Sequence, residues 1–101
     1  MISVSIRRKK GRIKTFTVAD HGKTNVCAAV SLLTLNTVNS IEALTSTHFT
    51  CEYNPEGGFL WFELKESNPE ACLLLEAMAL GLKSVKENYG SEIELIDEEV
   101  S

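Results

Sequence analysis

The chain has 101 residues, of which 44% are hydrophobic and 24% charged, and we expect one domain over residues 1–101. This composition disfavours a disordered chain, a collagen-like repeat and a disulfide scaffold. The longest apolar run, residues 26–33, is far shorter than the roughly 20 residues that cross a bilayer. The first residues also lack the hydrophobic region of a secretory signal. We therefore expect a cytoplasmic protein without membrane contact.

Charge is distributed unevenly along the chain, although the net charge is only −4. Residues 1–23 hold seven of the ten lysines and arginines against one acid, Asp20, whereas residues 90–101 hold five acids and no base. Such segments usually form solvated faces, and faces of opposite sign can lie near one another or favour self-association. The alternative is that the basic segment 7–14 contacts RNA. Phe16 is the only aromatic residue near it, so this nucleic-acid signal is weak.

The first half of the chain predicts a β-hairpin followed by a helix. Apolar and polar residues alternate from Ile2, and Lys10 with Gly11 supplies a turn into a second strand around residues 12–18. Apolar residues then recur every three to five positions over residues 26–45, which predicts an amphipathic helix. Two polar residues are candidate caps for this helix, Thr24 and Asn25.

The second half predicts another hairpin with the same order of elements. Residues 49–53 alternate, residues 54–58 form a strong turn signal, and residues 59–64 return as a strand. The alternation assigns three residues of the first of these strands to the core: Phe49, Cys51 and Tyr53. The aromatic residues of the second strand are also expected mainly in the core: Phe59 and Trp61.

A second helix and a short strand complete the pattern. Ser67 and Glu70 have the spacing of a capping box, and Gly90 is expected to stop the helix that follows. A strand over residues 92–96 ends the chain. The order β-β-α-β-β-α-β predicts an α+β fold, a two-layer sandwich with two helices packed on one face of a mainly antiparallel sheet.

The segment between the second strand and the first helix holds the candidate chemistry. Cys27 is expected in the first turn of the helix, where unpaired backbone N–H groups and the helix dipole favour a thiolate. The same N–H groups could hold the oxyanion of a tetrahedral intermediate. His21, in the preceding loop, could fold back as general base. The two residues could therefore form an acyl-transfer dyad.

Each of these residues also has a simpler interpretation. Cys27 could be a packed core residue, as free cysteines usually are, and His21 an exposed loop histidine. Cys51 is expected to pack in the core, and Cys72 starts the second helix without a histidine nearby in sequence. The cysteines lack the short spacings of structural zinc sites, so we expect neither a metal nor a cofactor.

Residues 25–39 contain Val-Cys-Ala-x-x-Ser, which resembles the opening of the active-site helix in the ribosomal-processing cysteine protease family. The segment Gly-Leu-Lys-Ser at residues 81–84 is similar to the end of that family's second helix. The resemblance covers nearly the whole chain. It implies Cys27 as nucleophile, His21 as general base, and Ser31 as a residue that orients the loop or the sulfur.

The same resemblance implies a function and partners. Members are cytoplasmic homodimers that remove a short N-terminal extension from the precursor of a large-subunit ribosomal protein. The loop between histidine and cysteine would bind the substrate, which here means Gly22, Lys23 and Thr24. Supporting roles are expected for two polar residues that flank this loop: Asp20 and Asn25.

This chain departs from the family pattern in the loop. Only five residues separate His21 from Cys27, about half the usual number, and Asp20 stands where the family usually has glycine. The acid that commonly precedes the cysteine is missing, although Asp20 could replace it. In a second alignment, His21 falls in the variable part of the loop and the family histidine is deleted. The protein would then be a non-catalytic, ribosome-associated binding protein of the same fold.

Overall fold

Five strands and two helices make up the computed structural model, which describes residues 1–19, 25–56 and 58–100. The strands form one sheet in the order β3-β4-β2-β1-β5, in which only the β1–β5 pair is parallel. Both helices pack on one face of this sheet, which confirms the predicted α+β sandwich. The elements are β1 Ile2–Lys9, β2 Arg12–Ala19, α1 Asn25–Leu44, β3 Phe49–Asn54, β4 Phe59–Leu64, α2 Pro69–Asn88 and β5 Ile93–Glu99.

The first hairpin turns where the sequence predicted. Lys10 and Gly11 have φ angles of 55° and 79°, the left-handed conformations of a two-residue turn whose twist matches the flanking strands. The register then shifts, because Arg7 pairs with Thr15 while Arg8 pairs with Ile13. Residue 14 is therefore an extra residue in β2, which is the signature of a β-bulge.

The core fills the space between the sheet and the two helices. Phe62 lies at its centre, and its ring stacks on Phe16 and Phe49 with centroid distances of 5.1 and 5.2 Å. Every second residue of the central strands points into this layer, as the period of a strand requires. The helices contribute apolar residues from one side each, which include Val30, Ile41, Leu75 and Leu82.

Three aromatic residues were expected in the core and lie outside it. Phe59 and Trp61 pair with Ala19 and Thr17 of β2 and alternate with the buried residues of β4. The other side chains of this strand, Leu60, Phe62 and Leu64, are buried in the core instead. Tyr53 is 53% exposed, because it lies near the end of the edge strand β3. Cys51 does pack against the core, as predicted.

Helix α2 begins at a different cap from the one predicted. The Asn68 side chain accepts a hydrogen bond from the backbone N–H of Ala71 at 3.0 Å, so Asn68 is the N-cap. The predicted capping box from Ser67 to Glu70 is wrong: the Ser67 hydroxyl instead accepts a hydrogen bond from Arg12. The helix ends at Asn88, shortly before the predicted stop at Gly90.

Helix α1 begins one residue earlier than predicted, so Asn25 is its first residue and not its cap. Thr24, the other predicted cap, lies outside the described residues. By length and composition α1 could cross a membrane, with mean hydropathy 1.3. This is weak evidence, because core helices of soluble proteins meet the same criterion and residues of α1 form part of this core.

Strand β5 is longer than predicted because its acidic end pairs with the basic β1. Arg8 donates hydrogen bonds to Asp97 at 2.7 Å and to Glu76 of α2 at 2.5 Å. These two partners raise the pKa of Arg8, whose side chain is only 18% exposed. The backbone N–H of Gly11 also donates to the Glu99 carboxylate at 2.8 Å. The two oppositely charged segments therefore partly neutralise each other.

Candidate active site

The candidate site lies at the end of the sheet where β2 stops and α1 begins, which we call the loop end. Ala19 is the last residue of β2, and it pairs there with Ser3 of β1 and Phe59 of β4. Residues 20–24 connect Ala19 to Asn25. The first turn of α1 is thus held beside the ends of three strands.

Cys27 lies in the first turn of α1, as the sequence predicted. It is only 7% exposed, and its neighbours Val26 and Val30 are buried beneath it in the core. The first turn contains no acidic residue, so no carboxylate there offsets the positive end of the helix dipole. All three cysteines of the chain are thiols. This position suits a nucleophilic sulfur.

Ser31 follows Cys27 by one helical turn and opens onto a small cleft. The cleft has a volume of about 70 Å³ and lies between the end of β2, helix α1 and the turn between β3 and β4. Tyr53 and Phe59 line it from the β3–β4 hairpin, and Leu35 lines it from α1. The sequence analysis missed Tyr53, which it assigned to the core. The sequence did contain a clue that Tyr53 lies at the cleft, because this residue directly precedes the turn signal at residues 54–58.

Cys51 has surroundings that oppose a thiolate. Burial raises the pKa of the Cys51 thiol, and the nearby carboxylates of Glu42 and Glu52 raise it further. A thiol with a raised pKa is a poor nucleophile near neutral pH. These contacts agree with the predicted packing role of Cys51.

The remaining cysteine and one of the histidines lie at the opposite end of the sheet, which we call the hairpin end. Cys72 is in the first turn of α2, as predicted, and lines a pocket beside the β1–β2 turn. His48 directly precedes β3, and its Nδ1 lies 3.2 Å from an oxygen of Glu66. Since β2 spans the sheet with eight residues, about 20 Å separates the two ends.

The other predicted site residues lie in the connection before α1. The structure places Asn25, Cys27 and Ser31 on the first two turns of α1. Five predicted residues lie outside the described part of the chain: Asp20, His21, Gly22, Lys23 and Thr24. Within residues 1–19, 25–56 and 58–100, no three His, Cys, Asp or Glu side chains form a group that could hold a metal.

A family model described as cysteine protease Prp matches residues 1–94. The chain belongs to the cysteine protease Prp family. A relative named ribosomal processing cysteine protease Prp, from Bacillus subtilis (strain 168), is 32% identical in an alignment 101 residues long. The alignment covers 88% of this chain and 90% of the relative. A relative of the same name from Staphylococcus aureus is 35% identical over 81 residues, 76% of each chain. Membership confirms that the protein is a cysteine protease.

Solved structures of Prp from S. aureus share the fold over 97% of this chain and 100% of theirs. The complex with a substrate peptide has a TM-score of 0.91 at 29% identity. The complex with a covalently linked product peptide has a TM-score of 0.90 at 30% identity. SMU.848 from Streptococcus mutans is also similar, with a TM-score of 0.87 over 99% of this chain. The Prp fold therefore extends over almost the entire chain.

Proposed function

We propose that this member of the Prp family removes the N-terminal extension from the precursor of a large-subunit ribosomal protein. Relatives of this name match most of the chain, and the S. aureus enzyme with the same fold binds a substrate peptide. The observation that carries the proposal is the position of Cys27, in the first turn of α1 and one turn before a serine that lines an open cleft.

The proposed mechanism begins with the Cys27 thiolate. Its Sγ attacks the scissile carbonyl carbon, and first-turn backbone N–H groups hold the resulting oxyanion. His21 takes the thiol proton and returns it to the leaving amine as the C–N bond breaks. Water, deprotonated by His21, then attacks the thioester, and Sγ leaves as the thiolate. The products are two peptides and the regenerated enzyme.

Elimination supports His21 as the general base. The chain contains only two histidines, and His48 is bonded to Glu66 at the hairpin end, far from Cys27. His21 is two residues beyond Ala19 and six before Cys27, so both ends of its loop are anchored at the loop end. Gly22 directly after the histidine gives the short loop a residue that tolerates a tight turn.

The substrate would occupy the cleft beside Ser31. Leu35, Tyr53 and Phe59 in its walls suit a small apolar side chain of an extended peptide, and Ser31 and Thr34 add polar groups. We assign Ser31, Asn25 and Asp20 supporting roles in orienting the sulfur and the loop. The loop residues that would close over the peptide are Gly22, Lys23 and Thr24.

Peptide cleavage tests this proposal directly. The purified protein would be incubated with a peptide that spans the N-terminal extension of its own organism's ribosomal precursor, and the products would be followed by mass spectrometry. We expect one cut by the wild type and by Cys51→Ala, and none by Cys27→Ala or His21→Ala. Cleavage by Cys27→Ala would refute the assigned nucleophile. Absence of a cut by the wild type, with slow alkylation of Cys27, would refute the proposed proteolysis.

A second candidate is a non-catalytic, ribosome-associated binding protein of the same fold. The shortened loop before Cys27 favours it, and its partner would be RNA held by the basic hairpin. This function predicts salt-dependent RNA binding that Cys27→Ala leaves unchanged, together with no peptide cleavage. The wild-type cleavage assay therefore separates the two candidates.

We further propose that the protein is a cytoplasmic homodimer. The family resemblance supports both properties. Leu32 is 73% exposed on α1 and lines an open groove with Leu33, Gly81 and Val85 between the two helices. Exposed apolar surface of this kind is typical of protein interfaces. Sedimentation of the purified protein would measure its oligomeric state.

A further inference from the structure

A pocket of about 290 Å³ lies at the hairpin end of the sheet, between the β1–β2 turn, the end of β4 and the start of α2. Apolar groups from Ile13, Leu64 and Cys72 form part of its lining. The lining also contains five cations and one acid, Glu66, and we call it the basic pocket. Its cations are Lys9, Lys10, Arg12, Lys14 and Lys65.

Most of these cations lack a carboxylate partner. The side chains of Lys9 and Lys10 form no hydrogen bond or ion pair with the residues that the structure describes. Arg12 donates to the hydroxyl of Ser67 at 2.9 Å, and Lys14 donates to the carbonyl of Leu64, so both bind neutral acceptors.

Two acids lie near these cations. Glu63 forms an ion pair with Lys65 of the pocket, and this hydrogen bond is the main reason why the pKa of Glu63 is lowered, with a smaller contribution from the nearby charge of Lys14. Glu66, the acid in the lining, contacts His48. The basic pocket therefore retains an excess of positive charge although the whole chain is acidic.

Neither folding nor the proposed proteolysis accounts for this arrangement. Arg12 and Lys14 contribute hydrogen bonds to the fold, but like charges around one pocket repel each other, which works against folding. Arg8, which does stabilise it, pairs with acids of β5 and α2 and does not line the pocket. Cys27 lies at the other end of the sheet, about 20 Å away along β2. The cations are thus available to a negatively charged ligand outside the active site.

We propose that the basic pocket binds the phosphodiester backbone of RNA. Several cations at one opening can contact consecutive phosphates, whereas a single small anion would neutralise only part of their charge. Among the described residues none that lines the pocket is aromatic, so we expect bases to have no stacking platform there and binding to be independent of sequence. The proposal goes beyond peptide cleavage, because it concerns the opposite end of the sheet and holds for an active or an inactive enzyme.

Two double variants with equal loss of charge test the site. Lys9→Gln with Arg12→Gln removes two cations of the basic pocket, and Arg7→Gln with Lys83→Gln removes two exposed cations outside it. The probe is a fluorescent single-stranded RNA of about 20 nucleotides, titrated with the full chain between about 50 and 200 mM salt. Circular dichroism of each variant would verify that it is folded.

The pocket variant is expected to bind RNA about tenfold more weakly, and the slope of log K against log salt should fall by about one per cation removed. The control variant should stay within about twofold of the wild type. Equal loss of affinity in both variants would refute a local site, and so would absence of binding at low salt. If a glutamate polymer displaced the probe as well as unlabelled RNA of equal charge does, the pocket would instead be assigned to an acidic protein partner.

Alkylation of the native cysteines gives a second measurement. In the Cys27→Ala variant, bound RNA should slow the labelling of Cys72, which lines the pocket, and leave Cys51 unchanged. Equal protection of both cysteines, or of neither, would refute the location.

The pocket variant should also cleave the precursor peptide at the wild-type rate. A wild-type protein that binds RNA but does not cleave the peptide would contradict the proteolysis and leave this proposal intact.

Discussion

The three cysteines differ in the surroundings that the fold gives them. Cys27 lies at the positive end of α1, Cys51 lies beside two carboxylates at the rim of the core, and Cys72 lies beside a group of cations. The alternation with Phe49 predicted that Cys51 packs in the core, but it could not predict the carboxylate of Glu42, which reaches Cys51 from another element. Part of what makes Cys51 a poor nucleophile therefore comes from a residue that is distant in sequence.

Phe59 and Trp61 are neighbours on the same face of β4, but only Phe59 lines the cleft beside Ser31. We expect Phe59→Ala to lower kcat/KM for the precursor peptide about tenfold, through lost apolar contact worth about 1.4 kcal/mol. Trp61→Ala should change kcat/KM less than about twofold. Steady-state kinetics on both variants would check this, and equal effects would contradict the assignment of the cleft.

At the scale of single elements, α2 provides a prediction about its N-terminus. Asn68→Ala removes the hydrogen bond to the Ala71 N–H and should lower the free energy of unfolding by about 1 kcal/mol. Ser67→Ala would be the more damaging change if the capping box existed. We expect it to lower the free energy of unfolding by only about 0.3 kcal/mol. Urea denaturation of both variants measures the difference, and a larger effect at Ser67 would refute the cap.

The same helix start shows what the sequence could have decided. The residues from Ser67 to Glu70 match a capping box, yet Pro69 prefers the first position inside a helix and therefore makes Asn68 the cap. The position of Pro69 is therefore a stronger signal than the spacing of Ser67 and Glu70. The extra length of β5, in contrast, could not be predicted from the sequence, because its acidic residues show no strand pattern. They become a strand only by pairing with Arg8 and its neighbours in β1.

Arg8 connects β1 with α2 and with β5, and its loss should weaken both contacts together. Arg8→Gln leaves the Glu76 and Asp97 carboxylates without their shared cation, and we expect the free energy of unfolding to fall by about 2 kcal/mol. Arg7→Gln, on the exposed neighbouring residue, should change it by less than about 0.5 kcal/mol. Denaturant titration of the two variants would show equal stabilities if the ion pairs did not contribute.

The order of elements along the chain could be predicted from periodicity, but the sheet order could not, because β2 pairs with β4 and β1 pairs with β5 across long stretches of chain. The position of Cys27 also followed, since a strand, a short loop and a helix leave little freedom there. The basic pocket did not follow. It combines residues of the first hairpin with Lys65 and Cys72, and only the sheet order brings these segments together.

The outer surface of the helical layer provides a prediction at this largest scale. Leu32→Glu places a charge in the groove between α1 and α2 and should convert the proposed homodimer to a monomer. Leu73→Glu is a matched control, because Leu73 is 71% exposed and does not line that groove. Sedimentation velocity distinguishes the two, and a dimer that survives Leu32→Glu would place the interface elsewhere.

The parallel pairing of β5 with β1 also has a consequence for the order of folding. Ile2 and Ile93 are partners although about 90 residues separate them, which makes this one of the most costly chain closures in the fold. The two hairpins and α1 can form earlier from shorter-range contacts. During synthesis, the sheet cannot be completed until β5 has emerged, and we expect its docking to be the slow step that closes the native protease.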